Sequence, residues 1–164
     1  MRDRALLAEA ATQLRRTTGE MRSLLVEIYP PDLATEGLGA ALVELAGALE
    51  RDGVHVDLDV DDADGLPLPA SSVLFRAAQE ILRNVVTHSR AREVSVAVRR
   101  AAGSATLVVD DDGRGFDEAE LPERQRAGHV GLRSLGDLVR DSGGRLVVRS
   151  APGQGTRVDV QVPA

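Results

Sequence analysis

The apolar positions of this chain change period several times, and each change marks an element. Leu7, Leu14, Met21 and Ile28 recur at every seventh residue, with Ala10, Ala11, Thr17, Thr18, Leu24 and Leu25 between them. That is the seam of a long helix over residues 5–29 packed in a bundle or coiled coil. Pro30-Pro31 ends it, because proline lacks a donor and restricts the residue before it. Leu38, Leu42, Leu45 and Leu49 predict a second helix over 38–51, closed by Gly53. Val54 to Val60 alternates strictly and predicts a half-buried strand. A third helix starts at Pro69 or Ala70 and runs to about His88, with Leu74, Ala77, Ala78, Ile81, Leu82 and Val85 on one face.

Two strands follow, 93–100 and 105–110, joined by a turn at Gly103. Residues 111–129 are rich in glycine and charge, and are read as a mobile loop too polar to pack. A short helix spans 130–141, and a hairpin of 145–150 and 156–162 turns at Pro152-Gly153-Gln154-Gly155. Helices interspersed with mostly hairpin-connected strands predict an α+β fold, a two-layer α/β sandwich with a mixed, mostly antiparallel sheet and helices on one face. An N-terminal helix precedes it.

Composition narrows the chemistry. Apolar residues make up 43% of the 164, enough for a core, but aromatics only 2%, so Leu, Val and Ala must fill it. The absence of Cys excludes a disulfide framework, a thiolate nucleophile and a Cys-type zinc site. A net charge of −6 without a basic, aromatic-interleaved patch argues against nucleic-acid binding. No apolar run approaches the ~20 residues that cross a bilayer, and the first residues carry acids rather than a signal core. A cytoplasmic location is expected, with no membrane contact by this segment, although a parent protein could carry an anchor.

Four constellations could carry chemistry. Glu80, Asn84 and His88 lie at i, i+4 and i+8 on one helix face. An ordinary solvated face explains them, but an amide and a carboxylate one turn apart also suit Mg²⁺, which takes few protein ligands besides phosphate oxygens. Asp110-Asp111-Asp112-Gly113-Arg114-Gly115 follows a strand directly. It reads either as an acidic turn or as a site where glycines admit a ligand to the backbone and a carboxylate accepts from an exocyclic amine. The calcium-loop ligand ladder is not satisfied. Gly128-His129-Val130-Gly131-Leu132 opens a helix, which makes it a plain hinge and cap or an anion site formed by free N–H groups. His129 is read as a surface residue, and His55 as packing or surface. Gly153-Gln154-Gly155-Thr156 alone is a hairpin turn.

Together, in this order and spacing, the four segments resemble the gyrase/Hsp90/histidine-kinase/MutL ATPase superfamily, whose sandwich is the Bergerat fold. Phe75-Arg76-Ala77-Ala78-Gln79-Glu80 and the tail from Gly143 to Thr156 are similar to sensor histidine kinases of the nitrate-sensor type. Leu24 to Leu33, with Gly37-Leu38, resembles their second dimerisation helix and the junction after it. The resemblance covers roughly residues 5–163. It implies two parts, 1–31 as half of a dimerisation hairpin and 32–164 as an ATP-binding catalytic domain.

The resemblance also implies roles. Asn84 would bind Mg²⁺, and Glu80 would orient water near metal or phosphate. Asp111 would accept the adenine amino group, and Gly113 and Gly115 would let the backbone pass close to the nucleotide. Gly128 and Gly131 would bracket a lid, residues 112–127, that orders on binding and faces the phosphates beside Leu132. Thr156 would support the adenine pocket through water. The implied partners are ATP, a histidine-bearing dimerisation helix, a downstream response regulator, and a second copy of this chain through residues 5–29.

Two departures stand out. Many relatives carry Lys or Arg three residues after the metal asparagine, and this chain has Thr87 there. Phosphate charge must then be met by Mg²⁺, by His88, or by an arginine such as Arg83 or Arg133. Further, none of His55, His88 and His129 lies on an N-terminal helix or precedes an acid. The phosphoacceptor is therefore expected outside this chain, which is expected not to autophosphorylate in the usual manner. Two rival functions are a related ATPase or anti-sigma-type serine kinase, and a degenerate nucleotide- or partner-binding module. The dimerisation-like Leu24–Leu33 junction speaks against the first, and intact Asn84, Asp111 and Gly131 against the second.

Overall fold

The computed structural model describes residues 33, 35–117, 119 and 130–164, within the compact unit Asp32–Ala164. The helix expected over 5–29, its seam, and Gly128 and His129 lie outside the described residues.

Helix α1 spans Gly37–Arg51 and buries Leu38, Ala41, Leu42, Ala46 and Leu49. Gly53, at φ +87°, turns the chain out of it. Strand β1 is His55–Asp59, with Val56 buried and His55 exposed. A 3₁₀ turn, Asp61–Ala63, leads to helix α2, Leu68–Asn84, which has Pro69 in its first turn where a missing N–H costs nothing. The whole stripe expected to be apolar is buried, with Leu74, Ala77 and Ala78 at 0% exposure.

The third helix does not run unbroken to His88. It widens into a π-turn over Val85–Ser89, and Arg90 then takes a left-handed conformation, φ +58°. Strand β2 is Glu93–Ala101 and β3 is Ser104–Asp111. Helix α3 spans Val130–Asp141, and the closing hairpin pairs β4, Arg145–Ser150, with β5, Thr156–Pro163.

The five strands form one sheet in the order β1-β2-β3-β5-β4. β1 and β2 are parallel, as a connection through a helix allows, and every other pair is antiparallel. One row of side chains, Val94, Val96, Val98, Ala105, Leu107, Val109, Val158, Val160 and Val162, is almost wholly buried in a single core with α1, α2 and α3. The other row carries ion pairs such as Arg157 with Asp110 and Asp159. This is the mixed, mostly antiparallel sandwich expected of the sequence. Among the described residues no helix is long and apolar enough to cross a membrane.

Candidate functional site

The inner row of β3 reads Ala105, Leu107, Val109, Asp111. Alternation therefore delivers a carboxylate to the core side at the strand's last position, and Asp111 is only 6% exposed. Burial raises its pKa above the usual 3.8, and the neighbouring charges of Asp110 and Asp112 add to the shift. Backbone N–H groups of Gly113, at 2.9 Å, and of Thr156 oppose it. The group is thus held by two donors yet disfavoured as an anion, which suits it to accept from a further donor on a ligand.

The three aspartates have separate tasks. Asp110 points to the outer face and pairs with Arg157 at 3.2 Å. Asp112 accepts the N–H groups of Arg92, at 2.8 Å, and Glu93, at 3.0 Å, and so ties the turn to the start of β2. Those two N–H groups, Glu93 first, lower its pKa.

The described start of the segment read as a mobile loop, residues 111–117, packs instead of hanging free, contrary to that reading, while most of 118–129 lies outside the described residues. Its glycines explain this. A Cβ on Gly113 would lie 2.6 Å from both the Cβ and the carbonyl oxygen of Ser89. Gly115, at φ +58°, lies against the carbonyls of Ala151 and Gly155. Gly155, at φ +72°, in turn lies against the carbonyl of Asp111. Backbone thus meets backbone where no side chain fits. Arg114 N–H donates to Ser89 O at 2.8 Å, and Gly153 N–H to Arg114 O at 2.6 Å.

Ser150 connects the two turns. Its hydroxyl accepts from Phe116 N–H at 3.0 Å, donates to Gly155 O at 2.8 Å, and lies 3.1 Å from Thr156 Oγ1. Strand register sets Asp111 directly opposite Thr156.

On α2, Asn84 Nδ2 donates to Glu80 Oε1 at 3.4 Å. Arg83 Nη2 donates to both Glu80 oxygens, at 2.8 and 2.7 Å. The Glu80 carboxylate meets the opening turn of α3, where Oε1 lies 1.6 Å from the position a Cβ on Gly131 would take. Leu132, next in sequence, is half-buried against the core. His88 is exposed in the π-turn. Among the described residues no group of three or more His, Cys, Asp and Glu could hold a metal alone. The amide and carboxylate of Asn84 and Glu80 are hard oxygen donors of the kind that serve Mg²⁺ only jointly with phosphate oxygens.

The structure therefore brings together Glu80, Asn84 and Gly131 in one cluster, and Asp111, Gly113, Gly115 and Thr156 in another. Ser89, five residues after Asn84, joins the clusters through Gly113. Ser89 and Ser150 were not singled out in the sequence, and Asp112 was named there only as part of the acidic turn. Their one signal there is position: each is a small hydrogen-bonding residue at the end of a periodic segment, where such residues bind backbone.

Known proteins share this domain. Residues 70–164 match the family described as histidine kinase-, DNA gyrase B- and HSP90-like ATPase. The chain is 33% identical to an uncharacterized sensor-like histidine kinase of Chloroflexus aurantiacus, across 97% of this chain and 28% of that protein. It is 32% identical to the sensor histidine kinase NarS of Mycobacterium tuberculosis, across 96% of this chain and 36% of that one. The chain thus spans about a third of the length of these curated relatives. Among solved structures, the histidine kinase domain of the Erythrobacter litoralis EL346 blue-light activated histidine kinase aligns with a TM-score of 0.63 at 27% identity. That alignment covers 77% of this chain and 60% of the other. The family match over residues 70–164, these relatives and the shared fold lead to one assignment: the chain belongs to the histidine kinase-, DNA gyrase B- and HSP90-like ATPase family and carries the ATP-binding domain of its sensor histidine kinases.

Proposed function

We propose that this chain binds ATP with Mg²⁺ and presents the γ-phosphate to a histidine on a dimerisation helix, as the catalytic part of a two-component sensor kinase. The supporting observation is the meeting of α2 and α3, where the Glu80 carboxylate, hydrogen-bonded to Asn84, lies against Gly131. Phosphoryl transfer asks for positioning and charge neutralisation more than covalent chemistry from the protein. When bound, Mg²⁺ neutralises phosphate charge and fixes the geometry of the phosphate oxygens.

Asn84 supplies the amide oxygen to the cation, and Glu80 holds the amide and orients water. Asp111 accepts the adenine amino group, and Thr156 completes the pocket floor through water. Gly113 and Gly115 keep the turn close enough for the base to pass. The N–H groups at the start of α3, after Gly128 and around Gly131 and Leu132, receive phosphate with the helix dipole behind them. His88 borders the phosphates from the π-turn. The lid follows the packed turn after β3, within 118–127, most of which lies outside the described residues. Residues 1–31 form the second helix of a dimerisation hairpin, through which the chain pairs with a second copy, and 32–164 the catalytic domain. The phosphoryl group passes onward to a response regulator, and the reaction takes place in the cytoplasm.

The test has two arms. Titration of a non-hydrolysable ATP analogue with and without Mg²⁺ should give Mg²⁺-dependent binding that Asn84→Ala weakens at least about tenfold. Radiolabelled ATP should then phosphorylate a separately supplied dimerisation domain bearing the acceptor histidine. Binding indifferent to Mg²⁺ and to Asn84 would refute the site, and transfer only to serine would favour the anti-sigma-type alternative.

A further inference from the structure

Thr87, three residues after Asn84, brings no charge to this helix face, and its hydroxyl donates to Arg83 O at 2.8 Å. The site still needs a cation, because Glu80 and a polyphosphate would otherwise face each other. Among the described residues, three cations lie within four residues of Asn84 or Gly131. Arg133 lies on α3 beside the cleft it shares with Gly136, Asp137, Arg140 and Arg145, on the β4 side of that helix. His88 lacks the permanent charge of a guanidinium.

Arg83 is different. It lies one helical turn before Thr87, so its side chain emerges on the same face. Its Nη2 lies 2.8 and 2.7 Å from the Glu80 oxygens and 3.4 Å from the ideal Cβ position of Gly131, at the opening of α3. Its side chain is 67% exposed.

We propose that Arg83 is the phosphate-contacting cation of this site, held on Glu80 until a nucleotide polyphosphate takes its place. The inference rests on the ATP–Mg²⁺ reading above. Glu80 is the less exposed partner, at 20%, but the guanidinium end of the pair is open to solvent, and ion pairs between neighbours on a helix are weak enough to exchange. A guanidinium offers several fixed donors, so it can turn toward a polyphosphate while one edge stays near Glu80. The partner exchange also releases Glu80 to face water and metal. Arg83 thereby discriminates between nucleotides by phosphate count and leaves base recognition to Asp111.

Affinities of the whole chain for MgATP and adenosine, measured by calorimetry, test this in wild type, Arg83→Ala, Arg83→Lys and the double variant Arg83→Ala with Thr87→Lys. Arg83→Ala should lose about tenfold in MgATP affinity, the worth of one charge-assisted hydrogen bond, and bind adenosine as wild type does. Arg83→Lys should lose less. Adding Thr87→Lys should restore most of the loss, because it returns a cation to the face one turn away. Circular dichroism confirms that each variant is folded. An Arg83→Ala variant that binds MgATP normally overturns the proposal, as does one that loses adenosine affinity equally or is not rescued by Thr87→Lys. A wild-type chain that binds no MgATP overturns the ATP reading itself and this proposal with it.

Discussion

Three adjacent aspartates show how far environment outweighs chemical identity. Asp111 is buried, and its folded-state pKa is raised above 3.8. Ionising it therefore costs the folded state stability. The cost is absent below pH 3.8, grows as pH rises toward the raised value, and is complete above it. Asp111→Asn removes that charge while keeping an oxygen for the Gly113 and Thr156 N–H groups. At pH 7 the variant should melt no lower than the parent, yet bind MgATP about tenfold or more weakly, because a buried partner for the adenine amine is gone. Wild-type affinity should fall on acidification with a midpoint above 3.8. Asp112 has the opposite sign. Its pKa is lowered by the Glu93 and Arg92 N–H groups, so it contributes stability above pH 3.8 that is lost as pH falls through the lower folded value. Its exposure limits the worth of these bonds. Asp112→Ala should cost about 1 kcal/mol in urea unfolding at pH 7, and the difference should close in acid.

At the scale of elements, glycines divide by what they touch. A Cβ on Gly155 would stand 1.8 Å from the carbonyl oxygen of Asp111, on backbone already at φ +72°. Backbone cannot step aside, so Gly155→Ala should destabilise by roughly 3 kcal/mol or more in thermal unfolding. A Cβ on Gly131 would strike the tip of Glu80 and touch the Arg83 guanidinium, both ends of flexible side chains that can swing away. Gly131→Ala should therefore cost about 1 kcal/mol or less in stability while weakening MgATP binding, since it separates Glu80 from Asn84. Most elements were legible because burial imposes a period. The inner positions of β2, β3 and β5 are alternating valines, leucine and alanine, and α2 shows its stripe from Val73 to Leu82. The π-turn was not legible, since over five residues from Val85 to Ser89 a wider helix leaves no distinct spacing. The packed turn after β3 escaped for a different reason. Hydrophobicity cannot register glycine backbone meeting glycine backbone, as at Gly115 and Gly155. For the candidate site, Asp111, Asn84 and the glycines were singled out through the order of four motifs, whereas the linking contacts of Ser89 and Ser150 join distant segments.

For the molecule as a whole, binding of the proposed nucleotide would add to the stability of the fold. A ligand that binds only the folded state adds about 2.7 kcal/mol at a concentration 100 times its dissociation constant. MgATP at that excess should raise the melting temperature by several degrees, and Asn84→Ala should abolish most of the rise. The registration of β3 on β5 carries a constraint of its own, since Asp111 faces Thr156 only because every pair from Ser104 and Pro163 inward keeps step. Loss or gain of a single residue within 157–162 would rotate the partner rows by one place and turn the valines outward. Descendants of this gene can thus exchange side chains along the final strand, but they cannot change its length by one. Frame-preserving single-codon insertions and deletions should be purged there far more severely than missense changes at the same codons.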